Sequence, residues 1–415
     1  MYNQLYKHSY WGGLRMAKQL LVIGNGFDRW CRLESSFSQF MDDRVSKSPR
    51  IYTDIKRYMN GETISPIGID QVLRENIDKI DKDFLIWDLV FLLNSTIGND
   101  AIMWCDIEQI INKYLTASYS KIDGKLVNYW SFFEHQMIIN DRPIIPTNMI
   151  QLTDYENITP YIYMYMKKKE IKRIDKNNPF IYKLISDHLR KFEEDFCRYL
   201  NNKLRLNQSY IDNKMALLNK LTVSKINLEE TQILSFNYTY IKVLNQITKV
   251  ENVHGTLSNN NCIIGIDNSK IDYDNPVYRF TKTYRKVDYY SKNNTKVVVD
   301  VLSDDFTHIT FFGHSLNEQD YAYFQSIFDT LDIYNSHVKL LFLFSVYDET
   351  KRDLIQTEIT SKVVRLLEDY GRTFISSPAK GKNLLHKLLI SSRLKIKEIP
   401  QIPSEIDYAD DLFVY

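Results

Sequence analysis

Glycine is scarce in this chain of 415 residues. There are only 13, against an average usage of about 7%, and none falls between Gly124 and Gly255. A chain so poor in glycine places it where backbone geometry or close approach demands it. Cysteine is sparse too. Cys31, Cys105, Cys197 and Cys262 form no C-x-x-C pair, which argues against a disulfide framework and against a cysteine-based zinc site. No metal is expected. An excess of one charge sign is missing: 53 Lys and Arg stand against 52 Asp and Glu, a net charge of +1. Proteins that coat nucleic acid carry a basic excess, so nucleic acid is not expected as the main partner. No apolar run approaches the roughly 18 residues of a membrane span. The opening MYNQLYKHSYWGGLR is too polar for the apolar core of a signal peptide. A cytoplasmic location without membrane contact is the expectation. The apolar fraction of 44% and charged fraction of 25% suit a packed globular chain and exclude disorder.

Residues 1–15 lack a clear period and read as an N-terminal arm, with Met16 as the natural start. Residues 16–69 read as the first strand–turn–helix unit of an α/β core. Leu20–Ile23 is a buried-type strand run, Gly24 breaks it, and a short loop follows. Ser36-x-x-Gln39 is a capping box ahead of Phe37, Phe40, Met41 and Val45 at helical spacing. Residues 70–230 read mostly as helix and as an insertion or cap. Ile181, Leu184, Ile185, Leu189, Phe192, Phe196 and Leu200 make one apolar stripe there, and KKKEIKR (167–173) reads as a solvated helix end. Residues 231–399 read as the remainder of the core. TQILSFNY, ENVHG, NCIIGID, HITFFGHSL and VKLLFLFS are strand-like. Helical spacing separates them at Tyr240, Leu244 and Ile247 and again at Phe324, Ile327, Phe328 and Leu331. Strands alternating with helices predict a parallel sheet with helices on both faces. Segment 268–300 is expected to be a loop excursion, SKVVRLLEDY a helix stopped by Gly371, and 400–415 a tail.

In open α/β sheets, ligands bind beyond the carboxyl ends of the strands. Four short motifs occupy such ends: Gly24-Asn25-Gly26-Phe27-Asp28, Ser235-Phe236-Asn237-Tyr238-Thr239, His254-Gly255, and Gly313-His314-Ser315-Leu316. Gly24-x-Gly26 can serve as a phosphate turn, although the dinucleotide fingerprint has a third glycine where Arg29 stands. A ligand-free glycine turn explains it equally well. Asn237 can hold a sugar hydroxyl or a water through its amide; a turn or cap is the bland alternative. His254 suits general-base work on a ribose hydroxyl or water, against a satisfied structural histidine. Gly313–Leu316 precedes a capping-like Asn317-Glu318-Gln319-Asp320 and offers a second anion site or a plain cap.

The order GNGFD, FNYT, HG and GHSL followed by an acidic residue and aromatics resembles the bacterial abortive-infection AbiH family. The likeness runs from Met16 through WCDIE in the helical region to DYAYF (320–324). That family resembles the sirtuin-like, Rossmann-like nucleotide-binding fold. The resemblance implies that Asn237 and His254 handle the nicotinamide ribose of NAD, and that Gly313, Ser315 and Leu316 hold its adenosine side. It implies an anti-phage effector in which NAD is the substrate and its nicotinamide–ribose bond is hydrolysed. In that enzyme Asp28 would stabilise the cationic sugar. The missing cysteine module sets the chain apart from protein deacylases. A nucleotide sensor without turnover is a second reading. A metal-dependent nuclease built on Asp28, Asp267 and Asp320 is a third. The expected partners are a nucleotide, a phage-derived trigger or companion defence protein, and a second copy of the chain.

Overall fold

The computed structural model describes residues 18–59, 68–95, 104–116, 118–122, 125–128, 158–171, 180–223, 226, 228–240, 249–268, 271–293, 301–303 and 305–401. The arm and start expected at residues 1–16, Leu244 and Ile247, and the tail from 402 lie outside them.

Strand β1 (Gln19–Ile23) runs straight into helix α1 (Asn25–Trp30), with Gly24 at its N-cap. The short loop expected after the glycine turn is therefore absent, and a loop follows α1 instead. Helix α2 (Phe37–Lys47) opens with the expected capping box on Ser36 and Gln39. Helices α3 (Pro49–Met59), α4 (Ile69–Glu75), α5 (Ile86–Ser95) and α6 (Trp104–Thr116) follow. A hairpin of β2 (Ser118–Ile122) and β3 (Lys125–Asn128) comes next. Helices α7 (Thr159–Lys168), α8 (Phe180–Leu206) and α9 (Tyr210–Leu221) complete the crossover. Then come β4 (Thr231–Ser235), β5 (Val250–Asn252), α10 (Lys282–Asn293), β6 (His308–Phe312), α11 (Tyr321–Thr330), β7 (Lys339–Phe344), α12 (Arg352–Arg372), α13 (Pro378–Ile390) and β8 (Leu394–Glu398).

The main sheet has six strands, all parallel, in the order β5-β4-β1-β6-β7-β8. Counting only its own strands along the chain, that order is 3-2-1-4-5-6. Every residue of β1 is buried, which is why its sequence is a continuous apolar run instead of an alternation. Leu20 and Val22 face a layer built on Phe324, Phe328, Leu367 and Leu384 of α11, α12 and α13. Leu21 and Ile23 face Phe27 and Trp30 of α1 and Leu217 and Leu218 of α9. Each such side chain contributes about 1.5–3 kcal/mol by leaving water. The one polar residue of β1, Gln19, is satisfied: its amide donates to Thr310 Oγ1 and Leu221 O and accepts from Val223 N.

A third apolar core lies within the helices of the crossover. Phe37, Phe40, Phe91, Phe192 and Phe196 pack edge to face or tilted, around a buried Arg44 held bidentately by Asp88. Lys168, in the run expected to be a solvated helix end, caps the carbonyls of Ile77, Asp78 and Ile80. Cys197 of α8 is bonded to Cys262, a cross-link of which the cysteine spacing gave no sign.

Four further expectations are corrected. Segment 268–300 is not a loop throughout: it holds a 3-10 turn (Pro276–Phe280) and helix α10. That helix has no buried apolar stripe to announce it. It is held by ion pairs from Arg285 to Glu193 and from Lys286 to Glu251. NCIIGID is buried but joins the sheet nowhere, making one isolated bridge, Ile266 to Thr281. Gly371 does not stop α12, which runs on to Arg372. Its missing side chain instead admits the backbone of Gly381, where a Cβ would meet Gly381 O at 2.6 Å. No strand is expected after VKLLFLFS, yet β8 closes the edge of the sheet.

Candidate functional site

Because the sheet is parallel, the carboxyl ends of β1, β4, β5, β6 and β7 open on one side. The reversal of strand order between β1 and β6 leaves a crevice there. A cleft of about 430 Å³ occupies it, within the size range of small-molecule sites. Residues of all four sequence motifs line it, joined by Glu108 of α6, Lys282 of α10 and Asp320 ahead of α11.

The two glycine motifs are fitted to one another. Gly24 N donates to Phe312 O and Gly26 N to Gly313 O. A Cβ on Gly24 would lie 2.6 Å from His314 Cα, and one on Gly26 would lie 2.5 Å from Gly313 Cα. Gly313 has φ +70°, a conformation that favours glycine. These glycines therefore make room for a neighbouring turn. The side chains of Phe27 and Leu316 are buried in the apolar layers on opposite faces of the sheet, so neither enters the cleft by its side chain. The Leu316 N–H donates to His314 Nδ1 at 2.9 Å. Asn25 is turned toward Ser35, whose hydroxyl donates to Asn25 Oδ1.

The FNYT turn is pinned on every side. Phe236 N donates to Ile23 O, Tyr238 OH to Ile263 O, and Asn252 Nδ2 to the carbonyls of Asn237 and Thr239. The Asn237 side chain is only 3% exposed, yet neither Oδ1 nor Nδ2 has a hydrogen-bond partner among the described residues. His254 Nδ1 is in the same condition. Such groups cost about 1–3 kcal/mol each when buried unsatisfied, and both residues stand in the cleft wall.

One carboxylate organises the deep end of the cleft. Asp320 Oδ1 is 3.3 Å from His254 Nε2, and Asp320 Oδ2 is 3.3 Å from His314 Nε2. Lys282 Nζ lies 2.6 Å from Asp320 Oδ1 and 2.7 Å from Glu108 Oε2. Since His314 Nδ1 accepts from Leu316, the proton of a neutral His314 sits on Nε2, facing Asp320. The same placement on His254 leaves its Nδ1 lone pair bare. Burial, with help from Lys282, pushes His254 down to about 4 despite Asp320, so its imidazole is neutral at pH 7. Burial alone would raise Asp320, but Lys282 and the two histidines hold it well below its usual range. Burial lifts Glu108 to about 7 against the pull of Lys282.

Asp28 lines the cleft but is already engaged: it accepts from Tyr210 OH at 2.5 Å and from Thr239 Oγ1 at 2.9 and 3.0 Å. Burial outweighs those hydrogen bonds and Lys214, raising its carboxyl from 3.8 to about 6. The folded value lies above the unfolded one, so this group favours the folded state most below pH 4. That contribution is lost as pH rises through 6, a cost of about 3 kcal/mol by pH 7. Asp28→Asn is therefore expected to raise the melting temperature at pH 7.5 and to leave it unchanged near pH 4. A variant that melts lower at pH 7.5 would show that the ionised carboxylate is a net stabiliser.

Asp28, Asp267 and Asp320 do not gather. Asp267 lies in a smaller neighbouring hollow and Asp320 is taken by Lys282 and the histidines. Among the described residues, no group of three or more His, Cys, Asp or Glu is placed to hold a metal ion. Sequence reasoning missed Glu108 and Lys282. Glu108 stands inside the WCDIE motif quoted above, which was the available signal; Lys282 had none.

Fold and cleft together define a parallel α/β protein with a cleft beyond its strand ends. A model of the family described as bacteriophage abortive infection AbiH matches residues 20–342. That is well over half of the chain, and the chain belongs to this family, which ties it to abortive phage infection. No curated protein and no solved structure matches it significantly. Among the described residues no helix is long and apolar enough to cross a membrane.

Proposed function

We propose that the protein is an abortive-infection effector that binds NAD or a related nucleotide in this cleft and hydrolyses the nicotinamide–ribose bond. The observation that carries this reading is the pair of buried, unpartnered groups at the deep end, the Asn237 amide and His254 Nδ1. Together they offer donors and acceptors suited to ribose hydroxyls and a water. The strand order 3-2-1-4-5-6 is that of doubly wound sheets that take dinucleotides at the point of reversal. The likeness of the motif order to sirtuin-like NAD-cleaving hydrolases supports the same ligand.

Nicotinamide leaves with the electrons of the C–N bond, and the ribosyl centre passes through a cationic state. Water adds there, giving ADP-ribose and releasing a proton. Asn237 orients the ribose and the water. His254 accepts a hydrogen bond through Nδ1 and takes the proton as it is released, its imidazolium stabilised by Asp320 in the manner of a histidine–carboxylate pair. Asp28 and Asp320 supply negative charge on the cleft wall. A phage-derived trigger or companion protein would raise the activity above the basal rate of the purified chain. The second reading, a sensor that binds without turnover, is favoured by the low basicity of His254, which weakens it as a base.

Purified protein incubated with NAD and NADP should release nicotinamide, and ADP-ribose should raise its melting temperature. Binding without release selects the sensor. If none of the three compounds binds or is consumed, the nucleotide reading fails.

A further inference from the structure

The mouth of the cleft differs in charge from its depth. Arg29 of α1 is exposed and lines the cleft. Its guanidinium lies 5.3 Å from the ring centroid of Tyr347, beyond the end of β7, and Tyr347 OH donates to Gly26 O at 3.2 Å. The side chain is therefore held in place. Among the described residues no carboxylate lies within 4 Å of it. The other cations of the cleft are neutralised: Lys282 is buried between Glu108 and Asp320, and Lys362 pairs with Glu358 on its own helix.

Arg29 also stands where the dinucleotide fingerprint carries its third glycine. In that fingerprint the glycines let the backbone approach a diphosphate. Here the Cβ side of Gly24 and Gly26 is taken by Gly313 and His314, which narrows that route to the remaining faces of the turn. A planar guanidinium at the mouth, which pairs bidentately with phosphate oxygens, supplies another.

We propose that Arg29, held over Tyr347, is the subsite for a phosphoryl group of the ligand. The ligand is then a phosphorylated nucleoside that extends from Arg29 at the mouth to Asn237 and His254 at depth. This rests on the nucleotide reading given above and adds a guanidinium to the glycine turn as a place where phosphate is held.

Calorimetric titration of the full chain tests it, with ADP-ribose and adenosine as probes, on the wild type and on Arg29→Leu and Arg29→Lys. The side chain is exposed, and thermal melts check that each variant is folded. Losing a charge-assisted pair is expected to weaken ADP-ribose by about 10- to 100-fold in Arg29→Leu. Arg29→Lys should recover part of that loss. Adenosine should bind all three proteins alike. Added salt should weaken ADP-ribose binding to the wild type and to Arg29→Lys, and should leave the other titrations unchanged. Equal ADP-ribose affinity in the wild type and Arg29→Leu overturns the subsite and leaves the nucleotide reading standing. An equal loss of adenosine and ADP-ribose overturns it too, by showing that Arg29 only shapes the cleft. Failure of the wild type to bind ADP-ribose overturns both.

Discussion

His254→Ala and Asn237→Ala should each remove most NAD turnover, by about 10²–10⁴-fold, the scale of positioned acid–base catalysis. The melting temperature should hardly change. Asn237 makes no side-chain hydrogen bond among the described residues, so truncating it removes an unsatisfied buried amide. The ligand-free variant is expected to be at least as stable as the wild type. His254 contributes a 3.3 Å contact to Asp320 and edge-to-face packing on Phe236 and Tyr323, while Lys282 still satisfies the carboxylate. The double variant should cost little more than either single one, because residues that serve one transition state are non-additive. Turnover is measured beside thermal melts. A His254→Ala protein with normal turnover would remove histidine from the mechanism. Losses that multiply in the double variant would mean that the two residues act separately.

Lys282→Met should be the most damaging single change to stability. Lys282 is 3% exposed and separates two buried carboxylates. Removing one partner of a buried ionic group costs about 3–5 kcal/mol, because the charge left behind has neither water nor counter-ion. Without the lysine, Glu108, already raised to about 7, should bind a proton more readily still. The unfolded carboxyl titrates lower, so the folded variant gains stability as pH falls and loses it as pH rises through neutrality. Urea denaturation should therefore show a larger deficit at pH 8 than at pH 5.5. Combining the change with Glu108→Gln should restore part of the loss. A deficit under about 1 kcal/mol, or one indifferent to pH, would mean that water reaches the network and screens it.

Much of the sheet was legible because its strands are buried on both faces. Leu20–Ile23, ILSF and ITFF read as uniform apolar runs ending in glycine or a small polar residue, and those ends are where the cleft lies. The errors share a cause: a short apolar run shows that a segment is buried, not what buries it. Cys262, Ile264 and Ile266 are covered by the helical layer instead of by strands, so NCIIGID imitates a strand. Helix α10 exposes Tyr284 and Val287 and is fixed by charge pairs across the fold, which no local pattern encodes. Lys282 begins that helix and was invisible with it. The edge strand β8 does alternate, Leu394 and Ile396 against Lys395 and Lys397, with the lysines guarding an open edge. Asn237 and His254 could be nominated from motif position; that both would be buried without partners required tertiary closure.

The strand at the centre of the sheet precedes every other strand of that sheet in the chain. Gln19 pairs with Thr231 on one side and His308 on the other, so β1 emerges from the ribosome long before either neighbour. The contacts that bury it are strongly non-local, and ordering them is slow for that reason. The cleft inherits the delay. Its walls come from residues as early as Gly24 and as late as Lys362, and no truncated nascent chain ending before Asp320 can hold the two histidines in register. Any chemistry that needs the assembled cleft therefore waits for the last of these residues, by the order of the strands alone.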